Sequence, residues 1–499
     1  MTLRSHYFLN GYTVSMKSTY FNLSTGLRSA TILIWAILFI SLLRRDVFIK
    51  TIDNRDLQAL QQAEAEEYQS IYFKNSKIGY VENNFKKGSE LEGLLEQHAR
   101  MILNVANAVQ TIDLHLTATL YAGNLLKNFS FSFHSPFYQM KAKGSVTGNS
   151  VSYTLVTGTN TIRDTVTFST PPLLATSRRA YLLNEGIRAG EKRRLPWFDP
   201  VSLTGKESIL EYRGKESVLI NGRIQILHRF TETFSGTRVN SWLNDSGVVV
   251  KEESPAGFIF LKEPKFKAFD LSTTGEEILS AVAVKTKGEY REPSEDTVRY
   301  RLTFPDDVSL DLAGDRQQFD NHILTITREK IPEGAGYPAC SGIGESLSPS
   351  PYVQADNQKI QNLSQQLTEN LSEPTDKVRR LALWVFNNLE KRPVLGLPDA
   401  LTTLENRQGD CNEHAALFAA LSRSASIPTR VVAGVTRHKD AFYYHAWNEV
   451  CLDSRWISID TTTNQFPADL GHLRFVRGEI QEQVRIGGLL GRLSIEQLP

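Results

Sequence analysis

The chain has 499 residues, 41% of them hydrophobic and 22% charged. At ~100–200 residues per domain this allows two to four domains with real cores and excludes a disordered chain. Lys+Arg 56 against Asp+Glu 55 leaves a net charge of +1, so there is no electrostatic case for binding nucleic acid.

Residues 1–26 read as an N-terminal tail. Ala30 to Leu43 then reads ATILIWAILFISLL without a charge. At 1.5 Å per residue it spans about 21 Å, and adding Leu27, with Arg28 and Arg44 reaching outward, gives a short spanning helix over 27–45. A cleaved signal peptide is the rival, but Arg44-Arg45-Asp46 follows at once and no small-x-small site is visible. A buried core helix fits less well, because the segment is apolar all round. Arg44, Arg45, Lys50 and Arg55 follow the segment whereas Lys17 and Arg28 precede it, so the charge count alone puts the large domain in the cytoplasm.

Residues 46–69 read as a helical or loose tether. Strand signals dominate 70–268. Tyr72-Phe73-Lys74 and Gly79-Tyr80-Val81 flank Asn75-Ser76-Lys77 as a hairpin. Ile112, Leu114, Leu116, Ala118 and Leu120 alternate, as do Phe129, Phe131 and Phe133, and Val151, Tyr153 and Leu155. Asn221-Gly222 is the strongest hairpin turn, and Asn244-Asp245-Ser246 is another. Glu92 to Val109 suits a helix by composition but alternates at Ala99, Met101, Leu103 and Val105, and is read as strand. Pro171 to Gly190 reads as a short helical piece and Pro196-Trp197-Phe198-Asp199-Pro200 as a rigid loop. The whole is one large, curved antiparallel β domain, a scaffold or docking surface that could also hold an apolar ligand or a peptide. A small second β unit occupies 269–331, and a Gly/Pro/Ser-rich linker occupies 332–351.

The C-terminal domain, 352–478, opens with helices over Gln354–Leu371 and from Pro374, where Val378, Leu381, Ala382, Val385 and Leu389 form an apolar stripe. Gly409-Asp410 precedes Cys411, and a helix follows through Ser424. Cys411 therefore sits in a first helical turn, where the dipole favours a thiolate and lowers its pKa. The competing reading is a small buried core cysteine. Ala441 to Leu452 and Arg455 to Asp460 form a strand pair turning at Asp453-Ser454. If Leu452 faces Arg455, His445 falls opposite Thr462, with Asp460 its diagonal neighbour at ~7–8 Å on the same face. His445 can then act as base, Asp460 as its orienter and Cys411 as nucleophile.

Metal chemistry has a weaker basis. Cys411 and His414 make a Cys-x-x-His, and Cys451, His445 and Asp460 could be added to it, but no second paired motif exists. The reading therefore carries no metal and no cofactor. His438 and His472 sit in polar loops without an evident partner. Three cysteines are too few for a disulfide scaffold; Cys340 and Cys451 could pair in an exported chain, or all three could be thiols. Residues 479–499 read as a C-terminal tail.

Gly409-Asp410-Cys411, Tyr444-His445-Ala446-Trp447-Asn448-Glu449-Val450 and Trp456-Ile457-Ser458-Ile459-Asp460 resemble, in order, the three motifs of the transglutaminase-like superfamily. Ile427-Pro428-Thr429-Arg430-Val431-Val432-Ala433-Gly434 resembles its intervening strand. The resemblance implies a papain-like α+β core with Cys411, His445 and Asp460 as the catalytic triad. Ile71 to Tyr80, Pro398 to Leu401, Gln465 to Asp469 and Gly471-His472-Leu473 resemble a narrower group, bacterial membrane-anchored proteins with this domain at the C-terminus. That implies a single-pass inner-membrane protein with its C-terminal domains in the periplasm, against the charge count. The chain departs from the group at Asp460-Thr461-Thr462, where Asp-Pro-Thr is common, and at Ser426, where a Gly often ends the nucleophile helix.

The fold expectation is thus an α+β chain: an N-terminal transmembrane helix, a large antiparallel β domain, a small second β unit and a papain-like core. The functional expectation is a cysteine-dependent acyl-transfer enzyme that hydrolyses peptide or amide bonds of a peptide or protein substrate at the cell envelope through a thioester. The alternatives are a crosslinking transamidase, a non-catalytic binding or assembly protein, and a zinc hydrolase.

Overall fold

A computed structural model describes residues 50–51 and 65–499, apart from 89–91, 106–107, 122–123, 184–185, 202, 235–236, 272–276, 288–295, 307 and 333–339. The tail at 1–26 and the anchor expected over 27–45 lie outside the described residues. Among the described residues no helix is long and apolar enough to cross a membrane. The chain is mostly β, with a large barrel followed by a second, partly closed sheet and helices.

The first sheet runs through β1 (Ala65–Phe73), β2 (Ser76–Lys87), β3 (Glu92–Val105), β4 (Ala108–Tyr121), β5 (Leu125–His134), β6 (Gln139–Thr147), β7 (Ser150–Thr157) and β8 (Asn160–Thr167). It continues with β9 (Leu173–Leu174), β10 (Lys192–Asp199), β11 (Thr204–Ile220), β12 (Arg223–Phe234), β13 (Thr237–Leu243), β14 (Val249–Glu253) and β15 (Phe258–Lys262). Neighbours pair antiparallel in chain order from β1 to β8 and from β10 to β15, and β15 pairs back onto β1. The two-residue strand β9 seals the ring. It pairs antiparallel with β5 at Leu173↔Leu125 and parallel with β10 at Leu173↔Trp197 and Leu174↔Phe198. The expected curved sheet therefore bends until its hydrogen bonds close on themselves, and β6–β8 extend from β5 as a flap.

Local chemistry sets the turns. Lys74-Asn75 and Asn221-Gly222 both hold two successive positive φ angles, the two-residue turn that matches strand twist. Glu92–Val105 is strand, as the alternation predicts. Three expectations change. Ala65–Tyr68, read as tether, belongs to β1, because Tyr68 and its neighbours are buried against the next strand. Pro171–Gly190 supplies β9 and a single 3₁₀ turn, Ala180–Leu182, in place of a longer helical piece. Pro196 to Asp199, read as a loop, lies in β10 with Trp197 and Phe198 buried.

The second sheet contains β16 (Val284–Lys287), β17 (Thr297–Thr303), β18 (Gln317–Asp320), β19 (Ile323–Thr327), β20 (Thr429–His438), β21 (Ala441–Leu452), β22 (Arg455–Ile459), β23 (His472–Arg477) and β24 (Ser494–Leu498). Its order is β18-β19-β17-β24-β16-β21-β20-β23, with β22 beside β21. The span 269–331, expected as a unit by itself, is hydrogen-bonded into this sheet at Val284↔Phe442 and Lys285↔Ala441. The expected tail supplies β24 between β17 and β16. Alternation marks a strand such as Thr297–Thr303, but not the distant strand that it pairs with.

Helices α1 (Gln358–Thr368), capped by Asn357, α2 (Pro374–Asn388), with proline in its first turn, and α3 (Ala400–Asn406), capped by Asp399, pack on α4 (Cys411–Ser424), which in turn packs on β20 and β21. Helix α4 is central, its side chains buried from Glu413 to Arg423. Leu417, Phe418 and Leu421 share one core with Ile360, Val378, Leu381 and Val385 of α1 and α2 and with Val431, Ala446 and Val450 of the sheet. Truncating Phe418 in such a core costs ~3–5 kcal/mol. The barrel grips this domain at Asp399, whose Oδ2 accepts Thr157 Oγ1 at 2.9 Å and Asn160 Nδ2 at 3.0 Å from the flap.

Candidate active site

Cys411 is the first residue of α4, and the preceding chain fixes it there. Asp410 caps the helix, accepting the Asn412 N–H at 3.0 Å, while Glu413 Oε2 accepts the Asp410 N–H at 3.0 Å. Position 409 must be glycine, since a Cβ there would meet Glu413 Cβ at 2.3 Å. The helix ends at Ser426 with φ 61, the left-handed conformation for which glycine is common, so serine carries that strain here. The Asn448 side chain of β21 donates to the Ala415 carbonyl at 3.0 Å and ties the histidine strand to this helix.

The strand pair has the derived register. Leu452 faces Arg455 and Asn448 faces Ile459, with Asp453 and Ser454 both at positive φ in the turn. Regular pairing stops at Ile459, and Asp460 turns onto Gln465 through reciprocal backbone hydrogen bonds of 2.9 Å. His445 Nε2 lies 3.0 Å from Asp460 Oδ2. That leaves Nδ1 of His445 for a thiol. The His445 ring stacks on Trp447 at 6.1 Å between centroids.

Asp460 is fully buried. Its Oδ1 accepts the Thr462 N–H at 2.7 Å, so the Thr-Thr sequence that replaces Pro-Thr still clamps the carboxylate. Burial would raise its pKa, but hydrogen bonds from His445 and His472 outweigh this and hold the carboxyl below the usual range.

Cys411 is half-buried and is a free thiol. The backbone N–H of Ala446, next to His445, lowers the proton affinity of the sulfur, and Asp460 is close enough to act on its charge. The expected lowering of the thiol pKa does not occur. Burial, then the Asp410 carboxylate, push it well up, and the Ala446 N–H only partly opposes them. Desolvation together with neighbouring carboxylates outweighs the helix dipole, so the thiol is protonated at rest.

The Cys-x-x-His zinc set does not assemble. His414 Nδ1 is spent on the Asp410 carbonyl at 2.7 Å, and Cys451 is disulfide-bonded to Cys340 with Cα atoms 6.1 Å apart. In its place stands His472, which opens β23, is fully buried and lies 3.2 Å from Asp460 through Nε2. The side-chain atoms of His445, Asp460 and His472 lie within 4.8 Å of one another, near enough to share a metal ion. Both histidine nitrogens, however, meet one Asp460 oxygen that also accepts Thr463 Oγ1 at 2.6 Å, the pattern of donors on a carboxylate. The alternation of Leu473 and Phe475 was the available signal that residue 472 begins a buried strand rather than a loop.

A central helix thus opens on a cysteine and packs on a sheet that carries a bonded histidine–aspartate pair. Residues 361–461 match the family model of the transglutaminase-like superfamily, and this part of the chain is a transglutaminase-like domain. No curated protein matches the chain in sequence. Among solved structures it is similar to a candidate cysteine protease from Cytophaga hutchinsonii, at 20% identity and TM-score 0.29, covering 43% of this chain and 81% of that one. It is also similar to a β-barrel-like protein of unknown function from Brucella abortus, at 11% identity and TM-score 0.31, covering 40% and 97%. A third is a candidate protease from Parabacteroides distasonis, at 11% identity and TM-score 0.20, covering 67% and 68%.

Proposed function

We propose that the chain is a cysteine-dependent acyl-transfer enzyme that hydrolyses peptide or amide bonds. The observation that carries this reading is the start of α4, where a free Cys411 thiol lies close enough to the Ala446 backbone and to Asp460 to feel both, with His445 Nε2 3.0 Å from Asp460. His445 removes the thiol proton, and the sulfur attacks the acyl carbon. Because the thiol is protonated at rest, general-base removal of its proton belongs to the attack itself. The C–S bond forms, the C–N bond breaks, and the proton on His445 goes to the departing amine. Water then cleaves the thioester; an amine in its place would give transamidation, the second outcome of the same chemistry. The Cys411 backbone N–H, in the first helical turn and without an intrahelical partner, can meet the oxyanion.

The reading extends to a bacterial envelope protein, anchored through residues 27–45 with its folded part in the periplasm. The Cys340–Cys451 disulfide supports an oxidising compartment. The experiment is intact-mass analysis of wild type and Cys411→Ala after incubation with envelope peptides. An acyl adduct on wild type alone is expected. Peptide cleavage that survives Cys411→Ala would refute the reading.

A further inference from the structure

The catalytic reading uses His445 and Asp460 but leaves a second buried histidine on the same carboxylate. His472 Nε2 meets Asp460 Oδ2 at 3.2 Å, and its Nδ1 meets Asp469 Oδ1 at 2.8 Å. Both ring nitrogens therefore face carboxylate oxygens, and a carboxylate offers only acceptors. Two N–H donors on one imidazole make it an imidazolium. Burial alone would lower the proton affinity of His472, but the bonds to Asp460 and Asp469 overcome it.

The surroundings hold this arrangement. The Arg316 guanidinium, reaching in from the segment before β18, donates to the carbonyls of Ala468 at 2.7 Å, Asp469 at 3.0 Å and His472 at 2.7 Å. The Trp447 ring of β21 packs edge-on against His472 at 5.2 Å, and the His445 ring lies 5.8 Å from it. From β20, Thr436 Oγ1 approaches Nε2 at 3.4 Å. From α4, Cys411 and His414 both feel the Asp460 charge. The result is a row, Asp469–His472–Asp460–His445, running from a half-exposed carboxylate to the ring assigned above as the base.

We propose that His472, held by Asp469, is a positioning residue that fixes the Asp460 carboxylate against His445 and sets the pH below which His445 is protonated and cannot act as base. This rests on the enzyme reading above, but the cluster itself does not. A positive His472 shares the Asp460 charge; a neutral residue in its place would leave that charge to His445 alone and favour the protonated ring.

The test uses the full chain as wild type, His472→Gln and Asp469→Asn, with two readouts. One is the burst of nitrophenolate from 4-nitrophenyl acetate, a probe of Cys411 acylation, as a function of pH. The other is the titration of the His445 ring followed by NMR of carbon-13-labelled histidine, which needs no activity. His472→Gln is expected to move both midpoints up by roughly one pH unit, the scale of one nearby charge. Asp469→Asn, changed at a half-exposed side chain, moves them the same way by less and serves if His472→Gln does not fold. Unmoved His445 midpoints in both variants would overturn the proposal. So would one equivalent of divalent metal in the purified chain that His472→Gln loses. If the ester never acylates Cys411 but the His445 titration still moves, the enzyme reading falls and the role of His472 in the cluster stands.

Discussion

Glu449→Gln tests how the histidine strand is fastened. Glu449 lies on β21, four residues past His445, and is buried. Its Oε1 accepts Arg474 Nη1 at 2.8 Å and its Oε2 accepts Arg430 Nε at 2.6 Å. Arg474 in turn reaches Asp315 at 3.1 Å, tying β21 and β23 to the segment before β18. Burial would raise the Glu449 carboxyl, but the two guanidinium groups hold it at about 2 against an ordinary 4.5. At 1.36 kcal/mol per pH unit that difference is worth about 3 kcal/mol near neutrality. The folded pKa is depressed, so the stabilisation is present above pH 4.5 and is lost as pH falls towards 2. Glutamine keeps the shape and removes the charge. Guanidinium unfolding, resolved by amide exchange of β20 and β21, should separate wild type and variant by about 3 kcal/mol at pH 7 and by about half of that at pH 3. A gap below about 1 kcal/mol at pH 7, or one equal at both pH values, would refute the assignment of the charge to this network.

Two further expectations follow from the cysteines. Alkylation of Cys411 by iodoacetamide should be slow at pH 6 and climb on the alkaline side, because the thiol is held protonated; a rate plateau below neutral pH would contradict this. Cys340→Ser should lower the unfolding free energy of the C-terminal half by about 4 kcal/mol, given the long loop that the bond closes. Equal denaturation midpoints with and without that bond would show that it constrains nothing.

Much of the site was legible because its signals are local. Gly409-Asp410 places a helix start at Cys411, and a two-residue turn at Asp453-Ser454 propagates a register that puts Asp460 diagonal to His445. The thiol's proton affinity was misjudged because a helix dipole can be read from sequence, whereas the desolvation that opposes it depends on packing. His472 was missed because its partners are Asp460, twelve positions back, and Asp469, joined through a loop that Arg316 pins from 156 positions away. The barrel was legible strand by strand. Its closure was not, since it depends on two residues, Leu173 and Leu174, in a stretch whose prolines and length mimic a break.

Asp399 carries a practical consequence. Its carboxylate accepts from Thr157, Asn160, Gln354 and the Thr402 N–H, and it is buried. A fragment beginning at residue 352 would retain Gln354 and Thr402 but lose both partners from the flap. Water would take their place at Asp399, but Val394 and Leu397, which pack on the barrel core, would be exposed beside the head of α3. Expression of the catalytic half alone should therefore yield a poorly soluble or slow-folding product, and the barrel, whatever else it contacts, is a folding partner supplied in cis.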